Sequence, residues 1–209
     1  MELKKNNKFI IKNLKNNLGQ YVIPDETKNG VAIDIGCNNG CFIEKNKNFF
    51  SEIHAYEANI FLVEKLKQIF NQEKIKIYHN AVSYADNLIL KLLAHKYSAD
   101  NGSSCIQKEL NDKHWEEFIC EAPSICLESI LKRCNNSIDY AKIDCETSEY
   151  EFLINKKLDN IKFIGLELHS QLGEKKYTEL YNFISETHIP NQKLNYRHDS
   201  HQEILFIKK

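Results

Sequence analysis

The chain has 209 residues, enough for one domain whose core needs neither disulfides nor metals to fold. Its 28 basic and 29 acidic residues leave a net charge of −1, and only Arg133 and Arg197 are arginines. A balanced charge so poor in the residue that clamps phosphates and reads base edges disfavours a nucleic-acid binder.

In chain order, Met1 to Lys15 is rich in lysine and asparagine around Phe9, Ile10, Ile11 and Leu14. This predicts an amphipathic helix, too short in apolar length to span a bilayer. Residues 1–29 are expected to form an N-terminal segment ahead of a domain over 30–209. Val31 to Ile35 reads as a buried strand, followed by a turn through Gly36 and Gly40 and a helix from Phe42 to about Phe50. A second strand is expected over Glu52–Glu57, a helix over 60–71 and a third strand from Ile75. Residues 87–125 differ in texture, with weak alternation, a small polar stretch and an extended piece around Pro123. They are read as an insertion of antiparallel strands or loops on the acceptor side. Beyond them the pattern predicts a helix at 127–133, a strand at 138–144, a helix from near Ser148, a strand at 161–168 and an amphipathic helix at 174–187. Lys193–Tyr196 and Glu203–Ile207 look like the arms of a terminal hairpin. Repeated βα units make a mostly parallel sheet with helices on both faces, which the antiparallel hairpin closes. The expectation is one α/β domain.

The functional signal is concentrated in residues 31–40, Val-Ala-Ile-Asp-Ile-Gly-Cys-Asn-Asn-Gly. A strand running into a small-residue turn is where open α/β sheets bind cofactors. The dinucleotide fingerprint is GxGxxG, with an acidic residue about 20 positions on. Here the turn is Gly36-x-x-x-Gly40, with Asn38 at its centre and no third glycine. Glu57 falls at the right distance to accept bonds from both hydroxyls of a ribose. An adenosine-type ribose therefore fits better than a pyrophosphate. Asp34 before the first glycine suits S-adenosylmethionine, whose amino group a carboxylate near the turn helps to hold. The plain alternative is that Asp34 caps a helix and Glu57 is a solvated strand end.

The ordered set of motifs resembles the FkbM-type S-adenosylmethionine-dependent methyltransferases. It comprises residues 31–40, Ala-Tyr-Glu-Ala-Asn (55–59), Asn-Ala-Val-Ser (80–83), the Gly-Ser-Ser region (102–104) and Leu-Glu-Ser-Ile-Leu (127–131). It continues with Asp-Tyr-Ala-Lys-Ile-Asp-Cys-Glu (139–146) and Ile-Gly-Leu-Glu-Leu-His (164–169). The resemblance implies the Rossmann-like class I methyltransferase sandwich, a seven-stranded sheet with a C-terminal antiparallel hairpin. It also implies that Asp34, Gly36, Asn38 and Gly40 surround the methionine part of S-adenosyl-L-methionine. Glu57 would bind the ribose, and Asn80 and Ala81 would lie beside the adenine. The chain departs from the family at Thr147, where glycine is usual. If that glycine serves a positive φ or leaves room for the acceptor, the pocket is altered and the role of Glu146 with it.

Methyl transfer is an in-line displacement, so the enzyme chiefly aligns nucleophile, methyl and sulfur, and a hydroxyl acceptor gains from a positioned base. The strand ending at Asp144 delivers Asp144 and Glu146 to the same edge as Asp34 and Glu57. Lys142 lies on the same side of that strand as Asp144, so the two form either a salt bridge or part of the machinery. Glu167 and His169 supply the second base candidates; His169 is either a base near neutral pH or a histidine bonded into its loop. Asp144, Glu146 and His169 are the catalytic candidates. Asp144, Glu146 and Glu167 are also of the type that holds a divalent ion, but acidic strand ends are mostly solvated or paired, and no metal is expected. His198, Asp199 and His201 read as a polar turn rather than a zinc site. Cys37 and Cys41 are expected against the cofactor, and Trp115 in an acceptor pocket.

Seven cysteines without a CxxC pair, several of them in apolar runs, disfavour a disulfide framework. With no signal-like N-terminus, a reducing cytoplasm is the expected compartment. The favoured function is O-methylation of a hydroxyl on a saccharide or small secondary metabolite. A non-catalytic Rossmann-like binding module is the alternative. An NAD-dependent oxidoreductase is a third reading, for which the glycine turn and a hydride-site pair are missing. A small-molecule or glycan acceptor is expected, with no nucleic acid and no membrane span; the residues do not reveal an oligomeric state.

Overall fold

The computed structural model describes residues 21–95, 104–106, 115–197 and 201–209. The expected N-terminal helix lies outside this set, as do His198, Asp199 and the side chain of Trp115. The main sheet has seven strands: β1 (Val31–Ile35), β2 (Glu52–Glu57), β3 (Ile75–His79), β8 (Ile138–Ile143), β9 (Ile161–His169), β10 (His188–Pro190) and β11 (His201–Lys208). Their order is β10-β11-β9-β8-β1-β2-β3. β3, β2, β1, β8 and β9 run parallel, while β11 is antiparallel to both β9 and β10. This is a Rossmann-like α/β sandwich with a closing antiparallel strand. The reversal of strand order between β1 and β8 opens a crevice at their carboxyl ends, and ligands of open α/β sheets bind at such a switch point.

Two apolar layers explain why these strands are buried on both faces. On β1, Ala32 faces one layer while Ile33 and Ile35 face the other. The first layer is filled by Ile43 from α1 (Cys41–Asn46) and by Val63 and Leu66 from α2 (Ile60–Ile69). The second takes Leu127 and Ile130 of α3 (Leu127–Arg133), Phe152 of α4 (Glu149–Leu153), and Tyr177, Leu180 and Ile184 of α5 (Glu174–Thr187). Their i, i+3, i+4 and i+7 spacing gives α5 a single apolar stripe.

A smaller sheet lies between β3 and α3. It contains β4 (Ala81–Val82), β5 (Ile89–His95), β6 (Ser104–Ile106) and β7 (Trp115–Ile125), in the order β4-β7-β5-β6. β5 pairs antiparallel with β6 and β7, and the short β4 runs parallel to the end of β7.

Two local expectations need correction. The helix after the glycine turn ends at Asn46 and not near Phe50; beyond it the Phe49 and Phe50 N–H groups both donate to the Asn46 carbonyl in a closing turn. The first arm of the terminal hairpin is His188–Pro190, which pairs with 206–208, and not Lys193–Tyr196. Leu194 and Tyr196 pack against the second core layer from the connection. Their alternation therefore reflects packing, not pairing. Among the described residues no helix is long and apolar enough to cross a membrane.

Candidate active site

The turn after β1 depends on Gly36, which has a φ of 70°; a Cβ there would fall 1.7 Å from the Asp144 carbonyl oxygen. Only glycine lets the β1 and β8 ends approach so closely. Asn38 is also left-handed, with a φ of 47°, a conformation asparagine tolerates. Its backbone N–H donates to Glu57 Oε2 at 2.8 Å, and the Asn59 N–H donates to Glu57 Oε1 at 2.9 Å. The glutamate at the end of β2 thus locks the glycine turn to the start of α2. Burial pushes its carboxyl up, against the pull of these two N–H groups. Each oxygen keeps a second lone pair for a ligand hydroxyl.

A cavity opens above this turn. Gly36, Asn38, Glu57, Ala58, Asn80, Ala81, Val82, Leu92, Asp144 and Glu146 are among its lining residues. A second cavity on the far side of the turn shares Gly36, Asn38 and Asp144 and adds Tyr21, Cys37, Cys41 and Lys142. The structure therefore brings Gly36, Asn38, Glu57, Asn80, Ala81, Asp144 and Glu146 to one cleft. It does not bring Asp34 or Gly40 to its walls. Asp34 is wholly buried beneath the turn; its carboxylate accepts no hydrogen bond among the described residues and lies 3.3 Å from Lys142 Nζ. Lys142 also lies 3.4 Å from Asp144 Oδ2 and donates to the Gly36 carbonyl at 2.6 Å. Burial works against its charge, but Asp34 and Asp144 outweigh that and hold it raised. The pair ties β1 to β8 beneath the glycine turn. Gly40 has a φ of 79° and faces Leu66 and Phe70 of the α2 region, where a Cβ would clash. Both residues shape the turn from behind.

The other half of the cleft is acidic. His169, at the end of β9, has Nδ1 2.7 Å from Glu149 Oε1. Its Nε2 lies 3.5 Å from Glu146 Oε2, 3.7 Å from Glu167 Oε1 and 3.9 Å from Asp144 Oδ1. Burial opposes a charge on His169, yet Glu149, Glu146 and Glu167 drive its pKa up to about 10. These carboxylate neighbours thus favour its protonated form. Burial raises Glu146 to about 7; His169 pulls it down while Asp144, Glu149 and Glu167 add to the rise. Burial, then Asp144, raise Glu167, whose Oε2 accepts from the Tyr21 hydroxyl at 3.0 Å. Glu203 on β11 is raised to about 7 by burial, with Glu167 and Asp144 contributing.

Glu149 was not legible in the sequence as part of the site. Its fully buried carboxylate accepts from the Thr147 N–H at 3.2 Å and the Cys145 N–H at 3.4 Å besides holding His169. It anchors a turn in which Glu146 has a φ of 47° and Thr147 one of 77°. The backbone thus keeps a glycine's conformation at Thr147. The threonine is buried and lines neither cavity, and a β-branched residue at this positive φ strains the turn. Tyr21 was also missed, because a single aromatic in an irregular segment carries no periodic signal. Cys37 and Cys41 line the second cavity and not the first, the former buried and the latter exposed.

No protein-family model and no curated protein matches the chain. Solved structures do resemble it. Methyltransferase FkbM from Methylobacillus flagellatus KT is 11% identical with a TM-score of 0.54; the match covers 96% of this chain and 50% of that one. An rRNA methylase from Streptococcus thermophilus is 9% identical with a TM-score of 0.48, over 100% of this chain and 96% of that one. A proposed methyltransferase from Streptococcus mutans, in complex with SAH, is 15% identical with a TM-score of 0.49, over 100% and 98%. The shared property is the fold.

Proposed function

We propose that the chain is an S-adenosylmethionine-dependent methyltransferase acting on a hydroxyl of a saccharide or a small secondary metabolite. The observation that carries this reading is the cleft at the β1–β8 switch point, where Gly36, Asn38, Glu57, Asn80 and Ala81 line one continuous wall. Glu57 is fixed by two backbone N–H groups and retains acceptor capacity for the two ribose hydroxyls. Ala81, Val82 and Leu92 offer an apolar bed for a purine ring. No third glycine opens the turn to a pyrophosphate, which favours a sulfonium ligand over a dinucleotide.

Methyl transfer needs alignment and, for a hydroxyl, a proton acceptor. Glu146 lines the cofactor cavity and borders the acidic half of the cleft, so it is the base in this reading. Asp144 and Lys142 hold the floor, and His169 fixes the carboxylates around it electrostatically. The gathering of Asp144, Glu146, Glu167 and Glu203 repels phosphate, which supports a neutral acceptor over a nucleic acid.

The test is a calorimetric titration with S-adenosylhomocysteine. Saturable binding is expected, with Glu57→Ala weakening it by about tenfold or more, since one substitution removes two ribose hydrogen bonds. Equal affinity in wild type and Glu57→Ala would remove the ribose assignment.

A further inference from the structure

We propose that Asp144, Glu167 and His169 form a binding site for one divalent first-row transition-metal ion. The site is independent of whether the chain transfers methyl groups. Three donor atoms converge on a gap: Asp144 Oδ1 and Glu167 Oε1 lie 3.9 and 3.7 Å from His169 Nε2, and all three fall within 4.8 Å of one another. Hydrogen bonds are shorter than this. Donors about 2.1 Å from a tetrahedral ion stand about 3.4 Å apart, so small inward side-chain movements close the set around an ion.

The outer atom of each ligand is already held. His169 Nδ1 is 2.7 Å from Glu149 Oε1, Glu167 Oε2 accepts from the Tyr21 hydroxyl at 3.0 Å, and Asp144 Oδ2 lies 3.4 Å from Lys142 Nζ. What remains pointing inward is one nitrogen and two carboxylate oxygens, and an ion entering between them takes the place of the proton that these carboxylates favour on the imidazole. His169 is only 5% exposed, and its Nε2 faces three carboxylates at 3.5, 3.7 and 3.9 Å, separations that leave room for an ion between them. A carboxylate behind the other ring nitrogen is how metal-ligating histidines are oriented. Glu146 Oε2, 3.5 Å from Nε2, rims the gap as a further oxygen donor, and His201 Nδ1 stands 3.4 Å from Glu167 Oε1 on the outer side.

The sequence offered Asp144, Glu146 and Glu167 as oxygen donors without favouring a metal; the convergence with His169 depends on β8 and β9 ending side by side. The donor set decides the class of ion. An imidazole with carboxylates suits Mn²⁺ or Zn²⁺, whereas Mg²⁺ and Ca²⁺ favour all-oxygen shells.

The experiment uses the full chain, stripped with EDTA and titrated with MnCl₂ while free Mn²⁺ is read by electron paramagnetic resonance. One bound Mn²⁺ per chain is expected, displaced by Zn²⁺ in preference to Mg²⁺. Asp144→Asn and His169→Gln are expected to weaken binding by at least about tenfold. Tyr21→Phe removes only the hydroxyl that orients Glu167 and leaves all three ligands in place. It is expected to weaken binding in the same direction even where the buried variants do not fold. No saturable binding at millimolar Mn²⁺ would overturn the proposal, as would affinity unchanged in Tyr21→Phe and in whichever ligand variants fold.

Discussion

Glu146 and Thr147 are consecutive left-handed residues between β8 and α4, held there by the buried carboxylate of Glu149. A β-branched residue in that region costs about 1–2 kcal/mol, and glycine recovers this at an entropic cost of about 0.5–1 kcal/mol. Thr147→Gly is therefore expected to stabilise the chain by about 0.5–1 kcal/mol, read as a higher urea midpoint. A lower midpoint would mean that the buried threonine side chain contributes more than its backbone costs. Glu146→Gln keeps the size of the side chain and removes its proton-accepting capacity. In the proposed reaction it is expected to slow methyl transfer by about 10²–10⁴-fold while S-adenosylhomocysteine binding stays intact. Transfer of labelled methyl to a panel of saccharides and hydroxylated metabolites, beside calorimetry, separates the two effects. At this scale the sequence was legible where a residue belongs to a spaced motif: Gly36, Asn38, Glu57, Asn80 and Asp144 all reach the cleft. It was not legible for Glu149, because nothing local marks a helix-start glutamate as buried. Asp34 was read as a ligand contact, and its burial under Lys142 depends on how β1 registers with β8.

Most elements could be read from period and punctuation. The strand at 52–57, the helix at 127–133 and the helix at 174–187 match the residues that form them. Failures came where tertiary packing produced the same signal as pairing. Leu194 and Tyr196 alternate like a strand but fill the second core layer, while the real edge strand is three residues long and includes Pro190. An edge position tolerates that proline, since its missing N–H would face no partner. His188, where α5 passes into β10, is fully buried. Its Nε2 lies 2.9 Å from the Ile161 carbonyl, to which it donates, and its Nδ1 2.8 Å from Thr187 Oγ1. Burial lowers its pKa, against the pull of the Ile161 carbonyl. The unfolded chain binds this proton near pH 6.5. The His188 contribution is thus present above that pH and is lost as pH falls toward the folded value. Denaturant titrations from pH 7 to pH 5 are expected to show wild type losing more stability than His188→Gln. Parallel losses in the two proteins would contradict the assignment.

Across the whole molecule the charges nearly cancel, yet they are not evenly spread. Asp144, Glu146, Glu149, Glu167 and Glu203 meet at one end of the sheet, with His169 and Lys142 set among them. Such a concentration is destabilising unless something uses it, and it lies beside the cleft at the switch point of the sheet. The fold positions Glu57, Asn80 and Ala81 on the β2–β3 side of the cleft and an acidic wall on the β8–β9 side. The glycine turn and Lys142 form the floor between them. The reading of this arrangement as a methyl-transfer site stands on its ligand. Parallel calorimetric titrations of the full chain with S-adenosylhomocysteine and with NAD test it most directly. The account predicts saturable one-to-one binding of S-adenosylhomocysteine and none of NAD; binding of NAD without S-adenosylhomocysteine would contradict it.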